Sequence, residues 1–286
     1  MTKSRLAKKK KKSPNTQVLE ALARHAIIKA GIDIRTSYFA GYLMSGSIIK
    51  RLHKATNLTK TQITRILKGF IAARFVDYSV RQKNKVAGDL SPITLILSQG
   101  YKRGLKWRGI PLGKTCWDIS IYQQLIQDLK PKTIIEFGTG LGASSLFFLD
   151  HCRMLKLKTK IITLDINSEQ VNPQLFKEKN IEFIKGDVKN LTKLLPTKNI
   201  KNLQHPWLIV VDCHSQIPLI VEHVEPHMKQ GDYLIIEDMG LAAKGRRIIK
   251  KALSRIPKGS LVVDTAFTDM FGRNFTCSPD SIFRKI

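Results

Sequence analysis

From Thr133 onward the apolar positions come in short runs separated by helically spaced stretches. The runs are Thr133–Phe137, Lys160–Leu164, Ile181–Ile184, Trp207–Val211, Tyr233–Ile236 and Ser260–Val263. Short, largely apolar runs of this length predict strands. Helical spacing appears between them, notably at Ser144–Leu155, Ile217–Met228 and Ala242–Ser254. Strands alternating with helices predict an α/β fold with a doubly wound, mostly parallel sheet. In such folds ligands sit at the carboxyl ends of the strands. Just upstream, Asp118–Leu129 places Ile121, Leu125 and Leu129 four apart, an amphipathic helix that Pro131 brings to an end.

The first third reads differently. Gln17–Ile32 has helical spacing, and Tyr38–Leu52 suggests a second helix weakened by Gly41 and Gly46. Leu58–Val76 gathers Ile63, Ile66, Leu67, Phe70 and Ile71 on one face, with Thr59 as its N-cap. Val76–Val80 and the basic residues after it suggest a strand and turn. Together with the preceding helix they admit a winged helix-turn-helix, or else a helical lid on the following domain. Tyr101–Lys114, rich in Gly and basic residues, reads as a loop. The expected organisation is a disordered basic tail at 1–15, a basic, mainly helical region at 16–104, and an α/β domain at 105–286.

Charge sharpens that division. The 286 residues carry 49 Lys+Arg against 22 Asp+Glu, a net of +27. Residues 1–114 alone hold 25 basic and 4 acidic residues, and the remainder holds 24 and 18. Such asymmetry points to a polyanionic partner such as nucleic acid, or to a solvated basic surface. Four scattered cysteines without metal-like spacing suggest a reducing compartment and no structural metal. No secretory signal or membrane-spanning stretch is evident, so the expectation is a soluble cytoplasmic protein, with a homo-oligomer open to it.

The chemistry concentrates at Thr133–Ser145, where Glu136 precedes glycines at 138, 140 and 142 and a helix opens near Ser144. Strand, glycine turn and helix form the first unit of a nucleotide-binding sheet. Glu136 before the glycines favours E-x-G-x-G-x-G, which resembles motif I of class I S-adenosylmethionine (SAM) methyltransferases, over a dinucleotide turn. Glu136, Gly138, Gly140, Gly142 and Ser144 are the candidate cofactor residues of the turn. Other acidic residues close the later strands. Asp165 is placed for a ribose cis-diol, and Asp187 for the adenine edge. Asp212, Glu237 and Asp238 would converge if their strands are neighbours. Like charges so close need a cation, and hard oxygens favour Mg²⁺. Asp212 and His214 are the candidate catalytic pair, with His214 as general base.

Longer stretches carry a more specific resemblance. W-R-G-I-P-L-G-K-T-C-W-D at 107–118, K-P-K-T-I-I-E-F-G-T-G-L-G-A-S-S at 130–145, V-V-D-C-H-S at 210–215, G-D-Y-L-I-I-E-D at 231–238 and F-G-R-N-F-T-C-S-P-D at 271–280 resemble the cephalosporin hydroxylase family. The resemblance spans roughly residues 105–286. It implies a class I SAM-dependent O-methyltransferase fold, with Glu136 and Gly138 in the cofactor turn and Asp165 as the ribose acid. It also implies Asp212, Glu237 and Asp238 as metal carboxylates, and a hydroxylated small molecule or sugar as acceptor. Gly142-Ala143 departs from the paired glycines of many relatives. Two other readings remain: nucleic acid as the acceptor, delivered by the basic N-terminal third, and a winged-helix regulator with a ligand-sensing domain.

Overall fold

The computed structural model describes residues 46–55, 59–64, 74–83, 91–100, 102–271 and 274–286. The chain divides into two compact units, Met1–Arg74 and Phe75–Ile286. In the first, α1 (Gly46–Ala55) and helical backbone at 60–64 are described, with Leu52 and Ile63 buried. Thr59 caps the latter as expected. Its hydroxyl accepts from Gln62 N at 3.2 Å while Thr59 N donates to Gln62 Oε1 at 2.8 Å. The tail at 1–15, the Gln17–Ile32 helix, the first part of Tyr38–Leu52 and most of Leu58–Val76 lie outside the described residues.

The second unit is built on a mostly parallel sheet. Its strands are β1 (Phe75–Val76), β4 (Thr133–Phe137), β5 (Lys160–Asp165), β6 (Ile181–Lys185), β7 (Trp207–Val211), β8 (Tyr233–Ile236), β9 (Leu261–Asp264) and β10 (Ile282–Lys285). Their spatial order is β1-β9-β10-β8-β7-β4-β5-β6. The run from β8 to β6 is parallel, and β10 is antiparallel to both β8 and β9. A two-stranded hairpin, β2 (Lys106–Trp107) and β3 (Ile110–Pro111), lies apart from the sheet.

Helices cover both faces, and β4 shows why its sequence is apolar apart from Thr133 and Glu136. Ile135 and Phe137 point into a core with α9 (Ile217–Val224) and α10 (Ala243–Leu253), through residues such as Ile220, Val221 and Ile249. Ile134 points the other way, toward Leu125 of α4 (Cys116–Leu129) and Phe147 and Phe148 of α5 (Ala143–Met154). Each such side chain, fully buried, stabilises the fold by about 1.5–3 kcal/mol. Thr115 caps α4 by accepting from Asp118 N at 3.0 Å, and left-handed Lys130 (φ 51°) ends it before Pro131.

Two expectations need correction, and one strand was not expected. Residues 78–80 are helical, within α2 (Tyr78–Lys83), because Asp77 accepts from Ser79 N at 2.8 Å and so starts a helix. The helix expected at Ile217–Met228 stops at Val224, and Pro226 follows within a tighter turn, Glu225–His227. The sequence reading had no counterpart for β10, whose Phe283 is fully buried and pairs with both Leu234 and Val263. Among the described residues, no helix is long and apolar enough to cross a membrane.

Candidate functional site

Parallel register places the strand ends on one rim. Phe137 lies opposite Leu164 and Val211, and Val211 lies opposite Ile236. The residues just beyond these strands therefore assemble without any long loop. Asp212 N donates to Phe137 O at 2.8 Å, and Glu237 N to Val211 O at 3.0 Å. A cleft of about 690 Å³ opens at this rim, bordered by Gly138, Gly140, Asp165, Ile166, Asp187 and Asp212.

Gly138, at φ 104°, lets the turn run directly against the end of β7. Asp165 ties the turn to β5, since Oδ2 accepts from Gly140 N at 2.9 Å and Oδ1 from Asn167 N at 3.0 Å. Asp187 borders the same cleft while accepting from Lys189 N at 2.9 Å. Gly142, at φ 85°, is the N-cap of α5 and packs against Leu175; it does not border the cleft.

Glu136 has a different place from the one expected. Its carboxylate is fully buried and accepts from Ser144 Oγ at 2.5 Å, from Thr163 Oγ1 at 2.7 Å and from the Ser145 hydroxyl. Burial pushes the carboxyl up, and the three hydroxyls oppose that shift. Glu136 therefore braces the turn and the start of α5 from beneath. Ser144 borders the cleft, but its hydroxyl is committed to Glu136.

The three carboxylates expected to meet do not act as one set. Glu237 is buried, and both of its oxygens accept from Lys114 Nζ at 2.8 Å. Oε1 also accepts from the Tyr122 hydroxyl. Lys114 is 3% exposed, lies 5.5 Å from the Tyr122 ring centroid and is 3.3 Å from Asp212 Oδ2. Burial opposes its charge, but Glu237 and Asp212 outweigh that and hold the ammonium far above its usual range. On the solvent side, ligand atoms of Asp212, His214 and Asp238 all lie within 4.8 Å of one another. His214 Nε2 is 3.5 Å from Asp212 Oδ1 and 3.3 Å from Asp238 Oδ2. The hydrogen bond to Asp238 raises the imidazole pKa, burial works against it, and Asp212 adds to the rise.

Lys114 and Tyr122 escaped the sequence reading as site residues. Lys114 ends a loop full of basic residues, where one more lysine looks like surface. Tyr122 sits beside the apolar stripe of α4, where it looks like core. Buried supports complete the rim. Asp118 accepts from the Thr276 hydroxyl and from Cys277 N at 3.2 Å, and Asp238 N donates to Cys277 O at 2.9 Å. Arg81 reaches Asp269, Asp280 and Asn274 at 2.5–3.0 Å, fastening the same segment.

Known proteins place this arrangement. Residues 99–251 match the family model of rhamnosyl O-methyltransferase/CmcI. The rhamnosyl O-methyltransferase of Mycobacterium bovis (strain BCG / Pasteur 1173P2) is 27% identical over 151 residues, 49% of this chain and 61% of the relative. The match thus spans about three-fifths of that relative's length. Among solved structures, the CmcI-N160 apo-structure superposes with a TM-score of 0.56 at 21% identity, covering 72% of this chain and 84% of that one. The cmcI-D160 Mg-SAM structure gives 0.55 at 20% identity, covering 82% and 99%. Both share the fold. The resemblance to the cephalosporin hydroxylase family holds, and the chain belongs to the rhamnosyl O-methyltransferase/CmcI family.

Proposed function

We propose that the chain is an SAM-dependent O-methyltransferase whose acceptor is a hydroxyl of a sugar or another hydroxylated small molecule. The observation that carries this reading is one cleft bordered by both a glycine turn and Asp165, with Asp212 on its border and His214 and Asp238 beside Asp212. The names of the mycobacterial relatives and the methyl donor named in the cmcI-D160 structure support the same reading.

The residues present fit a nucleoside donor. Asp165 spends one acceptor site of each oxygen on backbone N–H groups, and a carboxylate offers about four, so both oxygens can still receive a cis-diol. Leu141 and Ile166 expose apolar surface at the cleft, suited to the flat face of a base. The donor set of Asp212, His214 and Asp238 fits a divalent cation. Such an ion, when bound, supplies Lewis acidity that eases loss of the acceptor's proton. In this reading Asp212, His214 and Asp238 would hold such an ion beside the acceptor oxygen, the acceptor's proton would pass to solvent at this exposed rim, and Glu136 keeps the turn fixed beneath the donor. Lys114 and Tyr122 hold Glu237 in place behind Asp212.

Isothermal titration of the full chain with SAM tests the core of the reading. Saturable binding is expected, and no heat at millimolar donor would refute it. A second reading keeps the transfer chemistry but makes nucleic acid the acceptor; it rests on the 25 basic and 4 acidic residues of positions 1–114. It requires binding to RNA or DNA that falls steeply with salt.

A further inference from the structure

The sheet order separates two halves of the rim. The glycine turn, Asp165 and Asp187 follow β4, β5 and β6, so a donor in the cleft occupies that half. An acceptor attacking in line must then come from the other half, beyond β7 and β8. Two segments frame that half, the start of α4 and the stretch before β10. Lys114, two residues before α4, reaches Asp212 and Glu237. Cys277 O accepts from Asp238 N at 2.9 Å. Buried Asp118 locks the two segments together, accepting from the Thr276 hydroxyl and from Cys277 N at 3.2 Å.

The neighbours of these anchors are aromatic. Trp117 precedes Asp118 and Phe275 precedes Thr276, and their ring centroids lie 5.1 Å apart with the planes inclined by 31°. Both residues are partly exposed, and neither belongs to the apolar core on either side of the sheet. Among the described residues, each ring is the other's only aromatic partner. Area left partly in water forgoes the stabilisation that burial in the core would give. Phe275 is two residues from Cys277, the partner of Asp238, a span of at most about 7 Å. The pair is thus a one-sided apolar ledge beside the rim carboxylates, fixed in place by a buried acid.

We propose that Trp117 and Phe275 are the acceptor's binding ledge and that the ledge fits a pyranose ring. One face of such a ring presents C–H bonds, whose positive ends suit the negative faces of the aromatic rings. Its hydroxyls then remain at the edge, where one can reach toward Asp212 and Asp238. A flat aromatic acceptor would gain more from a slot closed on both sides than from a ledge. This deepens the methyl-transfer reading, on which it rests, by choosing a sugar among hydroxylated acceptors and naming the residues that select it.

The chain holds three tryptophans, Trp107, Trp117 and Trp207, so the full chain carrying 5-fluorotryptophan gives three ¹⁹F resonances. Trp117→Phe identifies the one that matters. With S-adenosylhomocysteine present, methyl α-L-rhamnopyranoside should shift the Trp117 resonance saturably and leave that of buried Trp207 in place. Saturation-transfer spectra should mark the C–H protons of one sugar face above the rest. In titrations, Trp117→Leu should weaken the glycoside about tenfold or more, Trp117→Phe less than about threefold, and both should keep SAM affinity within about twofold. Leucine is apolar but lacks a π face, so a ring with a merely structural role would not produce this split. The proposal is overturned if the glycoside at about 50 mM leaves Trp117 unmoved, or if the Leu variant binds it as well as the Phe variant. A catechol that moves the resonance where the glycoside does not would also overturn it. The shift is read on the unsubstituted chain, so a variant that misfolds does not shelter the claim. Failure of the transfer reading would look different, with no SAM binding and the glycoside-induced shift of Trp117 intact.

Discussion

Replacing Lys114 by Met keeps the length of the side chain and removes the charge that pairs with Glu237. The carboxyl is then buried with Tyr122 as its remaining hydroxyl donor. It can either stay ionised without a counter-ion, at about 3–5 kcal/mol, or take up a proton. The second route sets the ceiling. Protonating a group of ordinary pKa 4.5 at pH 7 costs about 1.4 kcal/mol per unit, or about 3.4 kcal/mol. At pH 5 the same step costs only about 0.7 kcal/mol. The sign follows from linkage: in the variant the folded carboxyl titrates above its unfolded value, so full stability is present below that value and lost as pH rises. For a unit the size of residues 75–286, each kcal/mol moves Tm by roughly 2–4 °C. Thermal melts in EDTA should therefore show a drop of about 7–14 °C at pH 7, shrinking to about 1–3 °C at pH 5. Lys114→Met with Glu237→Gln should recover most of the loss at pH 7. A drop under about 2 °C at pH 7, or an equal drop at both pH values, would show that the pair is not the buried ion pair described.

Gly138→Ala should cost about 2–5 kcal/mol, because its Cβ would lie 2.8 Å from the Asp212 carbonyl carbon at a φ of 104°. Gly140→Ala meets no atom within 4 Å, so it should cost only about 1 kcal/mol yet weaken SAM binding, since its methyl projects into open space at the cleft; melts and titrations on the two variants separate the effects. Glu136→Gln trades a carboxylate that accepts three hydroxyls for an amide with one acceptor oxygen, and urea unfolding should register a loss of about 2–3 kcal/mol. Burial works to raise the Asp150 carboxyl, but bonds from Arg108 and Trp107 prevail and hold it below its usual range; Arg153 and Arg108 do the same for Glu178. Depressed carboxyls stabilise above their unfolded pKa and lose that contribution as pH falls, so Arg108→Met should lower stability at pH 7 and hardly at all below pH 3, as read from melts across that range.

Much of this was legible in the sequence, for identifiable reasons. β4, β5, β7 and β8 lie inside the sheet, so each is a largely apolar run, and the acids following them had to share a rim once the strands lay parallel. The glycine turn was legible because Gly138 stands where any Cβ would strike the neighbouring strand end. What stayed hidden depends on long-range partners. Ile-Phe-Arg-Lys at 282–285 becomes a strand only through pairing with β8 and β9. Glu136 looked like a ligand-contacting acid because three hydroxyls, two of them eight or nine residues away and the third on β5, cannot be seen converging on it. Glu237 and Asp238 are adjacent in sequence, yet one turns inward to a lysine 123 residues earlier and the other outward.

His214 and Asp238 share a backbone feature with a cost: both are side-chain-bearing residues at positive φ, 54° and 59°. Glycine would relax either position, and left-handed backbone in an ordinary residue costs about 1–2 kcal/mol. A library selected for heat resistance alone should therefore drift toward glycine at these two positions and lose the imidazole and the carboxylate with them. Thermal hardening of this protein and retention of its rim chemistry would pull in opposite directions.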